Sequence, residues 1–209
     1  MWLGIALVLS SGCGVSAARP SAPVTLSIED VRRQPASTAV TVEGVVTVAS
    51  GSLDDGFAVM DGSGGLRVFD ALGNHYVPGD RVRIVGTVAV HSGELGLHPS
   101  AIERLGSVAV PAALDVPTGS VGMSTLGRLV RVRGHRDDRL VDDWPYGWKQ
   151  SIDDGSGATL VFIATSTGID VSRFQHEQQI AVTGYCGQFE DHYEILPRTQ
   201  SDVEVVPAN

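Results

Sequence analysis

The 209-residue chain is poor in several things that would simplify its reading: it has two cysteines, 6% aromatic residues, and 15 lysines and arginines against 24 aspartates and glutamates. Two cysteines, Cys13 and Cys186, cannot build a disulfide framework. The net charge of −9 is shared by both halves and excludes a basic phosphate-binding body. No apolar run reaches the ~20 residues of a transmembrane helix. Long helical periodicity is absent too, and so are the spacings that carry common chemistries. The six histidines stand singly with no HxxxH, HxH or partner-cysteine spacing. There is no G-x-S-x-G elbow and no P-loop. These gaps argue for a chain that is not an enzyme and that needs no metal or cofactor.

At the N-terminus, the apolar run "WLGIALVLSSG" (Trp2 to Gly12) leads to Cys13 and then to a Pro-containing polar stretch, Arg19 to Pro23. This is the architecture of an export signal. "LSSGC" (Leu9 to Cys13) resembles a bacterial lipobox, which implies lipid on Cys13, a membrane-anchored lipoprotein, and membrane contact through that lipid alone. The alternative is cleavage and release as a secreted or periplasmic protein. With Cys13 lipidated, Cys186 has no intrachain partner, and its strand-like setting, "AVTGYCGQF", reads it as a small buried apolar residue.

What the chain does have is an internal repeat. "VTVEGVVTV" (Val40 to Val48) answers to "LVRVRGHRD" (Leu129 to Asp137), "FAVMDGSGGLRVF" to "KQSIDDGSGATLVF", and "GDRVRIVGTV" (Gly79 to Val88) to "EQQIAVTGYC" (Glu177 to Cys186). Apolar residues alternate with polar ones in each copy, the period-two signature of half-buried strands. Five strands are expected in the first copy: Val40 to Val48, Gly56 to Met60, Leu66 to Phe69, Arg81 to Val88 and Leu95 to Leu105. Glycines inside these strands, Gly44, Gly86, Gly134 and Gly184, suit the bulges and close approaches of a small closed barrel. One short helix is expected at Ser27 to Arg33, with Ser27 and Asp30 as capping signal and Pro35 as stop, and a single turn at Asp170 to Phe174.

The order strand, glycine, strand, "DGSGG" or "DGSGA", "VF", "GDRVRIVG" and a last strand ending in "YEILPRTQSDVEV" (Tyr193 to Val205) resembles the bacterial OB-fold domains found beside exported endonuclease/exonuclease/phosphatase-type nucleases. The resemblance spans Thr25 to Val206 as two copies. It implies an all-β fold of two tandem, small, five-stranded OB-fold-like barrels. Residues 1–23 then form the signal segment and a short linker, 24–110 the first barrel, 111–123 a linker and 124–209 the second barrel. It also implies a nucleic-acid-binding accessory protein working with an exported nuclease, although nothing in the chain matches the catalytic motifs of such a nuclease.

Three features are left to weigh as sites. The DGSG stretches have the composition of tight hairpins and lack the spaced acids of a calcium loop. Arg81 with Arg83, and Arg131 with Arg133, alternate with valine on an outer face and read as solvated sheet. The segment "HRDDRLVDDWPYGWK" (His135 to Lys149) joins the first two strands of the second copy, a loop that flanks the binding face of OB-folds. Its Trp144, Tyr146 and Trp148 either fold down against the barrel or contact a ligand by stacking. The four aspartates around them, Asp137, Asp138, Asp142 and Asp143, would repel a phosphate backbone. The resulting expectation is a non-catalytic, exported module of the cell envelope that contacts a protein or glycan through Trp144, Tyr146 and Trp148.

Overall fold

The computed structural model describes residues 24–53, 56–136, 139–173 and 179–206. Cys13 and the export segment lie outside the described residues, as do Asp137 and Asp138. The first copy contains β1 (Thr25–Leu26), α1 (Ile28–Val31), β2 (Ala39–Leu53), β3 (Gly56–Met60), β4 (Gly65–Val68), β5 (Asp80–His91) and β6 (Glu94–Ser107). The second contains β7 (Leu114–Asp115), β8 (Leu129–Arg136), β9 (Val141–Asp143), β10 (Gly147–Asp153), β11 (Thr159–Ala164), β12 (Gln179–Phe189), β13 (His192–Leu196) and β14 (Val203–Val205).

In the first copy the strands run β2-β3-β4-β6-β5, and β5 pairs back onto β2 to close the ring. The second repeats the order as β8-β10-β11-β13-β12, closed by β12 on β8. In both rings one pairing is parallel, β4 with β6 and β11 with β13, and the others are antiparallel. This is OB-fold topology written twice. The alternation foreseen in the sequence fills each interior: Val42, Val46, Phe57, Leu66, Ile84 and Leu97 in the first barrel, and Val130, Val132, Ile152, Ile163, Val182 and Ile195 in the second. Cys186 joins the second core, fully buried. Burial pushes its thiol up to about 11, as suits an apolar role.

Such small rings close only where strands coil sharply. At Gly86 and Gly184 an added Cβ would stand 2.5 and 2.6 Å from the carbonyl oxygens of His98 and Leu196, so the neighbouring backbone occupies the side-chain position.

The copies also begin alike, in a way the sequence reading did not anticipate. β1 pairs in parallel with β2, and β7 pairs in parallel with β8. α1, capped by Ser27 whose Oγ accepts the Asp30 N–H at 3.1 Å, has its counterpart in a 3-10 turn at Thr118–Ser120. Residues 114–120, read from their Pro and Gly as linker, are thus the opening of the second barrel.

Candidate functional site

The repeated acidic turn is the first place to look. Asp61 Oδ1 accepts the N–H groups of Ser63 and Gly64 at 2.7 and 2.8 Å and the Ser63 hydroxyl at 2.6 Å. Its other oxygen accepts the Ile28 N–H at 2.8 Å, and Ser63 Oγ accepts that of Glu29 at 3.0 Å. The second copy repeats these bonds: Asp154 Oδ2 accepts the Thr118 N–H at 3.2 Å, and Ser156 Oγ accepts that of Gly119 at 2.9 Å. Each DGSG turn therefore holds the unpaired donors at the start of the short helix that precedes its barrel. Burial raises the Asp61 carboxyl, but the hydrogen bonds from Ser63, Ile28 and Gly64 outweigh it and hold the group below the ordinary range. The hydroxyl of Ser156, then that of Thr118, does the same for Asp154. Both carboxylates are thus engaged by donors of the turn and of the helix start.

The second place is the junction of the barrels, which the sequence did not announce. Backbones meet at Gly65 and Gly127, where a Cβ on Gly65 would stand 1.8 Å from the Gly127 oxygen. Around that point Arg32 donates to the carbonyls of Gly65 and Leu126 at 3.0 and 3.1 Å, and Arg128 donates to that of Ser63. On another side of the junction, Arg198, paired with Asp202 at 2.9 Å, donates to the Thr47 carbonyl at 2.9 Å. Val48, Leu53 and Ala58 of the first barrel pack with Tyr185 and Leu196 of the second. Tyr185 is fully buried, and its hydroxyl donates to Glu94 across the junction.

Beside this packed zone the barrels separate into a cleft of about 650 Å³. Leu53 and Arg67 form its first-barrel wall, while Tyr146, Lys149, Phe162, Phe189, Glu194 and Leu196 stand opposite. A smaller recess shares several of these residues and reaches Glu94 and Tyr185. Burial pushes the carboxyls of Glu94 and Glu194 up, against the Tyr185 hydrogen bond for the first and the charges of His192 and Lys149 for the second.

Trp144, Tyr146 and Trp148 lie on the β9–β10 hairpin and part ways. Trp148 is half-buried and packs against the second core. Trp144 and Tyr146 are 76% and 70% exposed. Their turn is firmly held: the Tyr146 N–H donates to Asp143 O at 2.9 Å, the Trp144 N–H to Asp142 Oδ1 at 2.9 Å, and Thr165 donates through its hydroxyl to Pro145 O at 3.0 Å and through its N–H to Tyr146 O at 2.9 Å. Tyr146 and Pro145 overhang the cleft. The structure thus brings one of the three expected residues to the cleft, leaves Trp144 beside it, and gives Trp148 to the barrel.

The remaining features resolve as structure. Arg81 and Arg83 both pair with Glu43 at 2.8 Å, Arg83 also with Glu103 at 2.9 Å, and Arg131 with Glu204 at 2.7 Å. Three of the four arginines of the basic stripes are thus ion-paired, and Arg133 stands exposed on the same outer sheet. His91 and His98, seven residues apart, are brought to 3.2 Å between their Nε2 atoms by the β5–β6 hairpin, with Phe69 stacked on His91. Among the described residues no group of three or more His, Cys, Asp or Glu converges as a metal site, and no helix is long and apolar enough to cross a membrane.

No protein-family model matches the chain, and no curated protein matches it significantly. Solved structures similar to it include the hypothetical protein ygiW from E. coli, at 23% identity over 42% of this chain and 94% of that one, with a TM-score of 0.34. Others are the tetrameric p202 HIN2, at 14% identity over 83% and 98% with a TM-score of 0.39, and a murine DNA-binding protein bound with double-stranded DNA, at 12% over 81% and 96% with 0.41. The class that the strand order defines is a tandem pair of OB-fold-like barrels.

Proposed function

We propose that this chain is a non-catalytic binding module that contacts a protein or glycan through its second barrel. The observation that carries the reading is the β9–β10 hairpin, which presents Trp144 and Tyr146 to solvent on a turn fixed by hydrogen bonds, beside a cleft. Large aromatics held rigidly in water give up little conformational entropy on binding and bring a large contact area, which is why they dominate interfaces. The export reading, with lipid on Cys13 as the tether, belongs to the same proposal and places the partner in the cell envelope.

The second reading, a nucleic-acid-binding partner of an exported nuclease, follows from the resemblance of the barrels to the OB-fold domains beside such enzymes. The net charge of −9 and the pairing of Arg81, Arg83 and Arg131 with glutamates weigh against it.

The test is fluorescence anisotropy of the full chain against labelled envelope glycan fragments, labelled peptides and labelled single-stranded DNA. Binding to a glycan or peptide that falls more than about tenfold in the Trp144→Ala, Tyr146→Ala double variant, at unchanged melting temperature, is the expected result. Binding that ignores the double change removes the hairpin from the site. DNA binding that weakens steeply with salt puts the second reading in its place.

A further inference from the structure

Charges at the junction cleft come in close pairs, except at Glu194. Arg67 Nη1 stands 3.2 Å from Glu94 Oε2, and the other Glu94 oxygen accepts the Tyr185 hydroxyl. Lys149 Nζ stands 2.9 Å from Asp143 Oδ2. Glu194 is left over. It is 8% exposed, yet among the described residues no N–H or O–H donates to its carboxylate, and the imidazole nearest to it, His192 Nε2, is 3.9 Å away, beyond hydrogen-bond reach.

The register explains how an acid came to be buried there. On β13 Ile195 points into the second core, so Glu194 and Leu196 point outward, opposite Gly187 and Tyr185 of β12. This outer face is the one that the first barrel covers, and Leu196 and Tyr185 pack there against Val48 and Leu53. In a lone barrel Glu194 would be ordinary sheet surface. Covered by a second barrel, it is an anion with little water left around it and no hydrogen-bond donor, a costly arrangement unless something else supplies the counter-charge. Its carboxylate faces the cleft and the recess alike.

We propose that the cleft receives a basic side chain of a protein partner, a lysine or arginine flanked by apolar residues, with its charged head on the Glu194 carboxylate and its stem along Phe162, Phe189 and Leu196. The proposal rests on the binding-module reading and names the partner chemistry for that site. Two features favour a basic peptide over a sugar. The Glu194 carboxylate offers acceptors alone, which suits a cationic head, while Lys149, Arg67 and Glu94 are already engaged in ion pairs. Phe162, Phe189 and Leu196, moreover, line the same cleft as Glu194 and give it an apolar stretch, which fits the methylene stem of lysine or arginine beneath a charged head. Tyr146 and Trp144 then pack the apolar flanks at the rim.

The probe is an N-acetylated, fluorescein-labelled pentapeptide amide with a central lysine flanked by leucine and phenylalanine, read by anisotropy on the full chain. Companion peptides carry arginine, norleucine or glutamate at the centre. The lysine and arginine peptides are expected to bind on the order of tenfold or more tightly than norleucine, the worth of one charge-assisted hydrogen bond, and the glutamate peptide weaker still. Glu194→Gln should erase the preference for lysine while leaving norleucine binding and the melting temperature in place; Glu194→Leu serves as a second variant should the amide find new partners. Equal binding of lysine and norleucine peptides, or a preference that survives Glu194→Gln, overturns the proposal while leaving the binding-module reading intact if Trp144→Ala, Tyr146→Ala still weakens both peptides. Glycan binding lost in that double variant, with no peptide bound, overturns the basic-peptide proposal alone. No binding to peptides or glycans overturns both.

Discussion

The two acidic turns cap their helices alike but stand in different company. In the first copy the turn lies against the second barrel: Ser63 and Gly65 give their carbonyls to Arg128 and Arg32, and Gly65 touches Gly127. In the second copy the turn faces water, and the position of Gly65 is taken by Ala158, which is exposed. A turn that only caps a helix needs aspartate, glycine and serine, whereas one that also docks a barrel cannot carry a Cβ at its last position. The single letter by which DGSGG differs from DGSGA therefore marks which copy is covered, and the asymmetry between the barrels begins there.

The sharpest way to break this comparison is to exchange the letters. Gly65→Ala forces apart backbones in direct contact and is expected to cost about 3 kcal/mol, the upper end of overpacking effects. Ala158→Gly meets no neighbour and should cost less than about 1 kcal/mol through chain entropy alone. Urea unfolding of both variants, with small-angle scattering of Gly65→Ala to detect barrels that part while still folded, checks the pair. Equal costs would mean that the contact at Gly127 is not what distinguishes the copies.

The same contrast between covered and open surface divides the aromatics of the β9–β10 hairpin. Trp148, packed on the second core, is expected to cost about 2 kcal/mol or more on truncation to alanine. Trp144→Ala, which removes an exposed ring, should change stability by less than about 0.5 kcal/mol. Thermal melts decide between them. A large loss from Trp144→Ala would mean that its ring is structural and would take it out of the binding surface.

Between the turns themselves the expected difference is smaller. Asp61→Ala strips the donors of Ile28, Ser63 and Gly64 at a half-buried site and should cost about 1 to 2 kcal/mol, within the range of lost helix caps. Asp154→Ala removes the bonds from Thr118 and Ser156 at an exposed turn where water can replace them, and a smaller loss is expected by the same urea titration. The pH dependence has a definite sign. Because both carboxyls sit below their ordinary range when folded, their contribution is present above about pH 4 and is lost as acid protonates them through the folded value.

How much of this could be read in the letters depends on whether the partner is local in sequence. The five strands of the first copy and the Ser27 cap rest on alternation and short spacing, and each was legible because neighbours along the chain decide it. The pairing of residues 114–115 with β8 was not, since two-residue strands carry no period and Pro117 and Gly119 read as linker. Trp148 and Trp144 look alike in sequence, and only the register of β10 turns one toward the core. His91 and His98, seven residues apart, meet across the β5–β6 hairpin at a spacing that no metal motif describes. Glu194 was invisible for a deeper reason: in "HYEIL" it is one more outward residue of an alternating strand, and its burial comes entirely from the other barrel.

That dependence sets the last and smallest expectation. Asp61 and Glu194 are both withdrawn from water, but Asp61 is held low by four donors while Glu194 is pushed up by burial with none. A carboxyl whose folded value is raised takes up a proton on folding between the ordinary value and the raised one. Across that window its contribution to stability falls as pH rises, the opposite of the turn aspartates. Replacing Glu194 with the neutral isostere should therefore remove a cost at neutral pH: Glu194→Gln is expected to be as stable as the parent near pH 4 and equal or slightly more stable at pH 7 to 8. Urea midpoints at the two pH values measure this. A Glu194→Gln protein that is weaker than the parent at neutral pH and equal to it in acid would mean that the carboxylate already has its counter-charge within the chain, and the cleft would then have no charge to offer a ligand.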